Sequence, residues 1–298
     1  MTLSHRPLMA VGLMLTAMAV LPFLDVIAKY LGEQGVPILQ IVWARLFFGA
    51  MLTMPLALKI AGVRGLMPNM PVMHAIRACF LIAATTFFFW ALRYLPVADT
   101  LAIFFVQPLI VTLLSPLVLG EQVGIRRWFA VAVGFAGTLV IIRPGFEELN
   151  PGVLLALASG ASLAVYLLLT RKIAGSAPAI VTTFYTSLMG AMIMSIAVVF
   201  VWETPTPAQW GYFVLLSLIA NGGHYLIIKA YDHGEASLLA PLAYTEIIMA
   251  TFAGWYFFND FPDGWTFLGV GILIASAIYI SWREHVRRVE PIRDFEQP

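Results

Sequence analysis

Residues 104–121 read FFVQPLIVTLLSPLVLGE, and residues 244–260 read YTEIIMATFAGWYFFND. Both stretches are apolar enough for a membrane helix, and both end in an acidic residue. Fourteen positions before that acid each stretch carries a polar residue, which is Gln107 in the first and Glu246 in the second. The shared spacing indicates that the chain contains one structural element twice.

The repetition extends over the whole chain. Other residues recur at nearly constant offsets: Pro37 and Gly49 as Pro178 and Gly190 (141 residues), and Trp128 and Gly134 as Trp265 and Gly271 (137 residues). These matches predict two five-helix repeats, residues 1–145 and 146–298. Because five is odd, the second repeat must cross the membrane in the opposite sense, and inverted repeats are a transporter architecture with the binding site between the halves.

The composition is that of an integral membrane protein. Of the 298 residues, 61% are hydrophobic and 11% are charged, whereas soluble proteins carry about 25% charged residues. The net charge of +1 argues against a nucleic-acid partner. The single cysteine, Cys79, excludes an internal disulfide and a cysteine-cluster metal site. We therefore expect the lipid bilayer as the surroundings, and neither a metal nor a cofactor.

Apolar runs of about 20 residues, the length that crosses a bilayer, predict an all-α protein with ten transmembrane helices around a central cavity. The predicted spans are 8–31, 37–61, 71–94, 97–119, 126–143, 150–173, 178–202, 208–231, 236–258 and 264–283. The first span is too long for a signal-peptide core and contains Asp25 and Lys29, so we expect it to be retained.

The basic residues predict the orientation, because Lys and Arg near helix ends stay on the cytoplasmic side. Lys29, Arg93 and Arg143 lie on one side, and Arg45 lies within a span. The other thirteen lie on the side of the N-terminus: Arg6, Lys59, Arg64, Arg77, Arg126, Arg127, Arg171, Lys172, Lys229, Arg283, Arg287, Arg288 and Arg293. Both termini are therefore predicted to be cytoplasmic.

Prolines and glycines inside the spans indicate flexible points. Each proline removes a backbone hydrogen bond and kinks a helix, and the freed carbonyl needs another partner in lipid. The predicted hinge residues are Pro108, Pro116, Gly222, Gly223 and Pro241, of which the two glycines weaken span eight. The alternative is that the prolines only curve the helices for packing.

The QPL and PLVLGE segments of span four and the Trp128, Gly134 and Gly137 pattern of span five resemble the drug/metabolite transporter superfamily, EamA type. The similarity covers essentially the whole chain, and more narrowly the sequence resembles bacterial aromatic amino-acid exporters of the YddG kind. The resemblance implies outward transport of amino acids through a cavity between the halves. Asn259 and Asp260 depart from it, because the family often has Gly-Glu there.

Ionisable residues within spans are costly and point to a pathway or pocket. Asp25 and Arg45 lie roughly 9 and 12 Å below the same membrane face, and Glu246 lies near the midplane. A zwitterionic amino acid needs opposite charges for its two ends, and Asp25 or Glu246 suits the ammonium while Arg45 suits the carboxylate. The alternatives are a structural Asp25–Arg45 ion pair and, for Lys29, a side chain that reaches the surface.

Further polar and aromatic residues complete the predicted substrate site. They lie on spans that we expect to border the cavity: Trp90, Tyr94, Gln107, Tyr166, Asn221, His224, Tyr225 and Tyr244. Aromatic rings would stack on the remainder of an amino acid. For each single aromatic, and for His224, helix packing is the alternative.

The sequence favours an amino-acid exporter that works by alternating access. The alternatives are efflux of another small solute, and an integral membrane enzyme that uses Asp25, His224 or Glu246 on a lipid-borne substrate. No G-x-x-x-x-G-K-[ST] loop for ATP occurs, so transport is either proton-coupled, with Glu246 as the candidate, or facilitative. The spacings Ala130-x-x-x-Gly134 and Gly271-x-x-x-Ala275 allow close helix contact, within a monomer or between two chains.

Overall fold

The structure, a computed structural model, describes residues 7–120, 124–142, 150–173, 175–233 and 239–289. The α-helices within these ranges are α1 Pro7–Val20, α2 Pro22–Glu33, α3 Ile38–Ala61, α4 Pro71–Ala91, α5 Val97–Phe104, α6 Gln107–Leu119, α7 Ile125–Ile142, α8 Pro151–Lys172, α9 Ala179–Val198, α10 Pro207–His233, α11 Thr245–Phe258 and α12 Gly264–Val289. Short 3-10 helices lie at Arg64–Leu66, Val199–Val201 and Ala240–Tyr244.

The helices are those of a multi-pass membrane protein. In the described ranges seven segments are long and apolar enough to cross a bilayer: α1 with α2, α3, α4, α5 with α6, α8, α9 and α10. The apolar parts of α7 and α12, Trp128–Ile142 and Gly264–Ser276, are shorter. The predicted all-helical membrane fold is confirmed at this level, and the count of ten spans stays a prediction.

Several helices of the first half pack on a helix of the second half, and α5 and α6 also pack on α8. The pairs are α1 with α10, α3 with α9, α4 with α8, α5 with α11 and α7 with α12. The main apolar core therefore contains residues from both halves, such as Leu46 of α3 and Ala191 of α9. Since neither half buries its apolar faces alone, the two halves depend on each other for a core.

Three prolines mark helix breaks at the predicted positions. Pro22 starts α2 directly after α1 ends, and Pro108 lies in the first turn of α6, after the α5 helix ends at Phe104. Pro241 lies in the 3-10 helix that precedes α11. A proline fits the first turn of a helix because the amide hydrogen that it lacks has no helical partner there. Pro108 and Pro241 are among the predicted hinge residues, whereas Pro55 lies inside α3 and does not interrupt it.

Pro116 lies inside α6 and does not interrupt it. The carbonyl of Thr112, which lost its usual partner to the ring, accepts a hydrogen bond of 3.1 Å from the Ser115 hydroxyl. A neighbouring side chain thus supplies the replacement partner that a proline in lipid requires.

The helix break between α5 and α6 lies next to the break before α11. Phe105, which caps α5, lies 4.9 Å from Tyr244, the residue before α11, measured between ring centroids. The α8 helix passes close to the first break at Gly160, where a β-carbon would lie 2.8 Å from the carbonyl oxygen of Phe104. The interrupted spans therefore contact each other in the interior, with α8 against one of them.

The predicted weakening of α10 at its glycines is wrong, because α10 runs unbroken through this segment. The Asn221 amide donates to the Ser217 carbonyl within the same helix, at 2.8 Å. Gly223 is buried, and a β-carbon there would lie 2.5 Å from Leu21. Close packing on the α1–α2 junction therefore explains Gly223, while Gly222 is exposed with nothing within 4 Å of a β-carbon.

We expect Gly222→Ala to raise the midpoint of thermal unfolding. Alanine is favoured over glycine in a helix by about 1 kcal/mol, and the added carbon meets open space. The measurement is thermal unfolding of the purified variant in detergent. A lower midpoint, or a reduced maximal transport rate, would return Gly222 to the list of hinge residues.

The contact between α7 and α12 lies within one chain but does not use the whole predicted pattern. Gly137 and Gly269 face each other, since a β-carbon at Gly269 would lie 2.6 Å from the Gly137 carbonyl oxygen. The Ser276 hydroxyl donates to the Ala130 carbonyl at 2.6 Å. Gly271 has nothing within 4 Å of a β-carbon, so the Gly271-x-x-x-Ala275 spacing does not form this interface.

Candidate functional site

Three charged side chains from three helices come together in the interior, and we call Asp25, Arg45 and Glu246 the central cluster. Asp25 interacts electrostatically with Arg45, and Glu246 interacts electrostatically with Asp25. The breaks determine two of the positions, because Asp25 follows the start of α2 by three residues and Glu246 is the second residue of α11.

The carboxylates of the central cluster lack protein partners. Asp25 is 6% exposed, and no atom of Arg45 lies within the 4.0 Å of an ion pair with it. In the part of the chain that the structure describes, no group hydrogen-bonds to Asp25 or Glu246. The structural ion pair considered from the sequence is therefore absent. Unpaired charges away from water are costly, which favours a ligand-binding role.

The guanidinium of Arg45 is held in place by α4. It donates from Nη1 to the Thr85 hydroxyl at 2.9 Å and lies 5.9 Å above the ring of Phe89. It also interacts electrostatically with Tyr166 and His224. His224 itself has exposed surface.

Sequence reasoning missed Thr85 and Phe89. Phe89 belongs to the Phe87–Trp90 run, whose members point in all directions around α4, so its spacing gave no signal. Thr85 is a small polar residue inside an apolar helix, where most such residues bond their own backbone. Their roles became visible only when α3 was placed against α4.

Two of the remaining candidates lie at the helix breaks. Tyr244 is 6% exposed and packs against Phe105. Gln107 is the first residue of α6 and is half-buried. The Thr245 amide, at the start of α11, donates to carbonyls of the preceding 3-10 helix, and the Leu109 amide in the first turn of α6 donates to the Val106 carbonyl at 3.0 Å.

Four candidates are not brought to the central cluster. Asn221 is engaged within α10. Tyr225 is 52% exposed and lies under the Lys229 ammonium at 5.9 Å. Trp90 is 39% exposed, and Tyr94 is 49% exposed in the cavity described next. A position on a span that borders the central cluster therefore did not place these side chains on the face toward the cluster.

A cavity of about 650 Å³ opens between the C-terminal ends of α2 and α4, and we call it the α2–α4 cavity. Its lining includes Lys29, Glu33, Phe89, Arg93, Tyr94 and Asp260. Phe89 belongs to this lining and also to the surroundings of Arg45. The cavity and the central cluster therefore have Phe89 as a common neighbour.

The Lys29 side chain does not extend to the membrane surface, which was the alternative considered from the sequence. Its ammonium lies 2.6 Å from a carboxylate oxygen of Asp260 and 4.6 Å above the ring of Phe258. The two residues are 231 positions apart, and no local pattern connects them. The acid that ends the second copied stretch thus pairs with the first half, whereas Glu121 lies outside the described residues.

Arg77 is buried, although its position near a helix end predicted a cytoplasmic side chain. It is 1% exposed and lies 4.9 Å above the ring of Tyr166. Its guanidinium donates to the Thr170 hydroxyl at 3.0 Å, to the Thr182 carbonyl at 3.2 Å and to the Thr186 hydroxyl. These contacts join α4 to α8 and α9. Arg77 therefore no longer counts among the thirteen basic residues that predicted a cytoplasmic N-terminus.

The solved structures include one with the same overall arrangement. A crystal structure of a protein superposes with a TM-score of 0.66, at 21% sequence identity, over 95% of this chain and 100% of that chain. At this identity the likeness concerns the fold alone.

Relatives with named activities cover most of the chain. The S-adenosylmethionine uptake transporter of Rickettsia prowazekii is 26% identical, over 87% of this chain and 88% of its own length. The riboflavin transporter of Vibrio cholerae is 28% identical (97% and 99%), and the pseudopaline exporter of Pseudomonas aeruginosa is 25% identical (82% and 86%).

The relatives are named as transporters of small molecules, in two directions across the membrane. The profile of the EamA-like transporter family matches residues 8–143 and again residues 150–282. These two segments account for nearly all of the described helices. The chain therefore belongs to the EamA-like transporter family.

Proposed function

We propose that this transporter carries amino acids, aromatic ones among them, out across the bacterial inner membrane by alternating access. The observation that carries the proposal is the central cluster, two carboxylates and one guanidinium without protein ion-pair partners between the halves. An α-amino acid has the complementary charges. Arg45 would bind the carboxylate of the solute, and Asp25 with Glu246 would bind its ammonium.

The aromatic residues around the cluster support a ring in the solute. Phe89 lies beneath Arg45, and the Phe105–Tyr244 contact lies at the helix breaks beside Glu246. Rings at these positions offer edge and face contacts to a flat group. An integral membrane enzyme is less well supported, because its catalytic groups would have to meet a lipid at the membrane surface, whereas the central cluster lies deep within the helices.

The helix pairing supports two inverted repeats, residues 1–145 and 146–298, as the basis of alternating access. The pairs α3–α9, α5–α11 and α7–α12 each join equivalent spans of the two halves, and α4–α8 is equivalent to α1–α10. A pseudo-twofold axis in the membrane plane would produce this pattern. Rocking of one repeat against the other would then open either side of the central cluster in turn.

A second candidate solute is an amino acid with an additional positive charge. Two carboxylates and one guanidinium give the cluster a formal charge of −1 when all three are ionised, so a neutral zwitterion leaves one carboxylate unpaired. S-adenosylmethionine has a sulfonium, an ammonium and a carboxylate, and it is the solute in the name of the Rickettsia relative. It therefore matches the charges of the cluster as well as the aromatic surroundings.

The experiment that tests the proposal is flux of labelled solutes in proteoliposomes, measured in both directions. Labelled phenylalanine and labelled S-adenosylmethionine are supplied separately, and each is used as an unlabelled competitor of the other. Saturable flux of phenylalanine supports the amino-acid proposal, and flux of S-adenosylmethionine alone supports the second candidate. If neither compound nor any other amino acid is transported, the amino-acid proposal is wrong.

Glu246 is the expected site of proton coupling. It lies near Asp25, and two carboxylates that repel each other can share a proton that an arriving ammonium displaces. An imposed pH gradient should therefore drive accumulation in the wild type, and should drive none in Glu246→Gln. The measurement is solute accumulation together with a luminal pH dye. Flux that leaves the luminal pH unchanged would show facilitative transport instead.

We expect Pro108→Ala to change the transport rate more than the apparent affinity. The ring lies at the break between α5 and α6, away from the groups that would bind the solute, and such break points absorb backbone changes during opening. The measurement is initial rate against concentration in reconstituted vesicles, with Pro55→Ala in α3 as a matched control for loss of a helix proline. An unchanged maximal rate would remove Pro108 from the mechanism.

A further inference from the structure

The Lys29–Asp260 ion pair lies between the α2–α4 cavity and the central cluster. Both residues line the cavity, and their side chains are only 10% and 31% exposed. Lys29 is one helical turn beyond Asp25 on the same face of α2. Any solute that passes between the cavity and the central cluster along this face of α2 must pass the ion pair.

The ion pair joins segments that belong to different halves. Lys29 comes from α2, and Asp260 follows the end of α11, where Asn259 caps the helix in the left-handed conformation. The Phe258 ring beneath the ammonium adds an apolar contact to the charge pair. Opening this side of the protein by rocking the halves would separate the two charges.

A zwitterion has the chemistry to replace this contact. Its carboxylate can take the place of Asp260 on Lys29, and its ammonium can take the place of Lys29 on Asp260, so that neither buried charge loses a partner when the pair separates. The cavity of about 650 Å³ falls in the range of small-molecule sites. A neutral or singly charged solute would leave one of the two charges unpaired, at a cost.

We propose that the α2–α4 cavity is a second binding site for the zwitterionic solute, which the solute reaches from the central cluster by opening the Lys29–Asp260 pair. This inference rests on the proposed function, because it takes an α-amino acid as the ligand. The predicted orientation puts this site on the periplasmic side, where an exported solute would bind last before release.

The first test measures, without any solute, how far the Lys29–Asp260 ion pair limits access of water-soluble reagents to the central cluster. Cys79 is replaced by serine, and a cysteine is introduced at Thr85, a buried residue that contacts Arg45 and does not line the α2–α4 cavity. Labelling of this cysteine by a water-soluble thiol reagent in nanodiscs should be about tenfold faster in Lys29→Gln and in Asp260→Asn, the factor expected from losing about 1.4 kcal/mol of closure. The charge-swapped pair Lys29→Asp with Asp260→Lys should restore slow labelling.

The matched control is Arg93→Gln, which removes another cation from the lining of the same cavity. Labelling at Thr85→Cys should stay at the wild-type rate in this variant, because Arg93 forms no ion pair with a described residue and donates to the Val36 carbonyl, at 3.4 Å. Equal labelling rates in the wild type, Lys29→Gln and Asp260→Asn would show that the ion pair does not close the path between the cavity and the central cluster.

The second test measures the ligand. Binding of labelled phenylalanine is compared in nanodiscs between the wild type, a variant with the central cluster neutralised (Asp25→Asn, Arg45→Gln and Glu246→Gln), and the same variant with Lys29→Gln and Asp260→Asn added. We expect weak saturable binding to remain in the second protein and to disappear in the third. Binding by the wild type that vanishes completely in the second protein would overturn the second site.

The two proposals fail in different ways. If the wild type neither binds nor transports an amino acid, the proposed solute is wrong, and the second site falls with it even where the labelling rates support the closure. If the wild type transports amino acids but the labelling and binding results above are negative, only the second site is wrong.

Discussion

Transport by Arg45→Gln should be about a hundredfold slower than by the wild type at low solute concentration, from the loss of about 3 kcal/mol for a desolvated charge contact. Arg45 is the one cation of the central cluster, and it interacts with both Asp25 and His224. Without it the carboxylate of the solute has no counter-charge in the central cluster, and Asp25 loses the positive charge of Arg45. The measurement is the initial flux of labelled solute in proteoliposomes, with protein insertion quantified.

Two further variants separate binding from stability. Arg45→Lys keeps the charge but not the planar group, so it should recover part of the flux while losing the geometry of the Thr85 hydrogen bond. Arg64→Gln removes an exposed arginine from the Arg64–Leu66 3-10 helix and should leave the flux unchanged. If Arg45→Gln folds, inserts and transports at the wild-type rate, the central cluster is not the binding site.

Gly160→Ala should destabilise the protein by about 2 kcal/mol, within the range for overpacked interiors, and should also reduce transport. The added carbon would lie 2.8 Å from the Phe104 carbonyl oxygen and 2.9 Å from a methyl carbon of Val106. Backbone cannot move aside as a side chain can. The α8 helix must therefore shift away from the break between α5 and α6, and that shift disturbs the Phe105–Tyr244 contact beside Glu246.

The measurement for Gly160→Ala is the midpoint of thermal unfolding in detergent, together with flux in proteoliposomes. Gly211→Ala is the matched control, because it makes the same change in α10, where nothing lies within 4 Å of the new carbon. We expect the control to be as stable as the wild type or more so. Equal midpoints for Gly160→Ala and Gly211→Ala would mean that the α8 contact with the break is not tight.

The sequence by itself determined the class of molecule and the candidate positions of its main interruptions. A chain with so few charged residues and with apolar runs of this length needs a bilayer as its surroundings. The limits of the apolar runs predicted α3, α4, α8 and α9 closely. Proline chemistry is local, since a missing amide hydrogen acts within one turn, and Pro22, Pro108 and Pro241 lie at helix breaks. Pro55 and Pro116 lie inside continuous helices, so the neighbouring structure decided which prolines interrupt a span.

Glycine positions in the sequence were ambiguous for a physical reason. A glycine can provide flexibility or close approach, and only the neighbour decides which. Gly223 is present because Leu21 lies against it, and Gly160 because a carbonyl does. The sequence predicted a weak point in α10, whereas the tertiary structure shows an unbroken helix with one tightly packed glycine and one exposed glycine.

The partners of the charged residues were decided only by the tertiary structure. Burial cost is a property of a single residue, so the sequence could select Asp25, Arg45 and Glu246 as candidates. Pairing is a property of two helices, so it could not predict that Lys29 contacts Asp260, or that Arg77 is enclosed by α8 and α9. Helix rotation and the packing of one half on the other determine those contacts, and neither follows from the spacing of residues along a single helix.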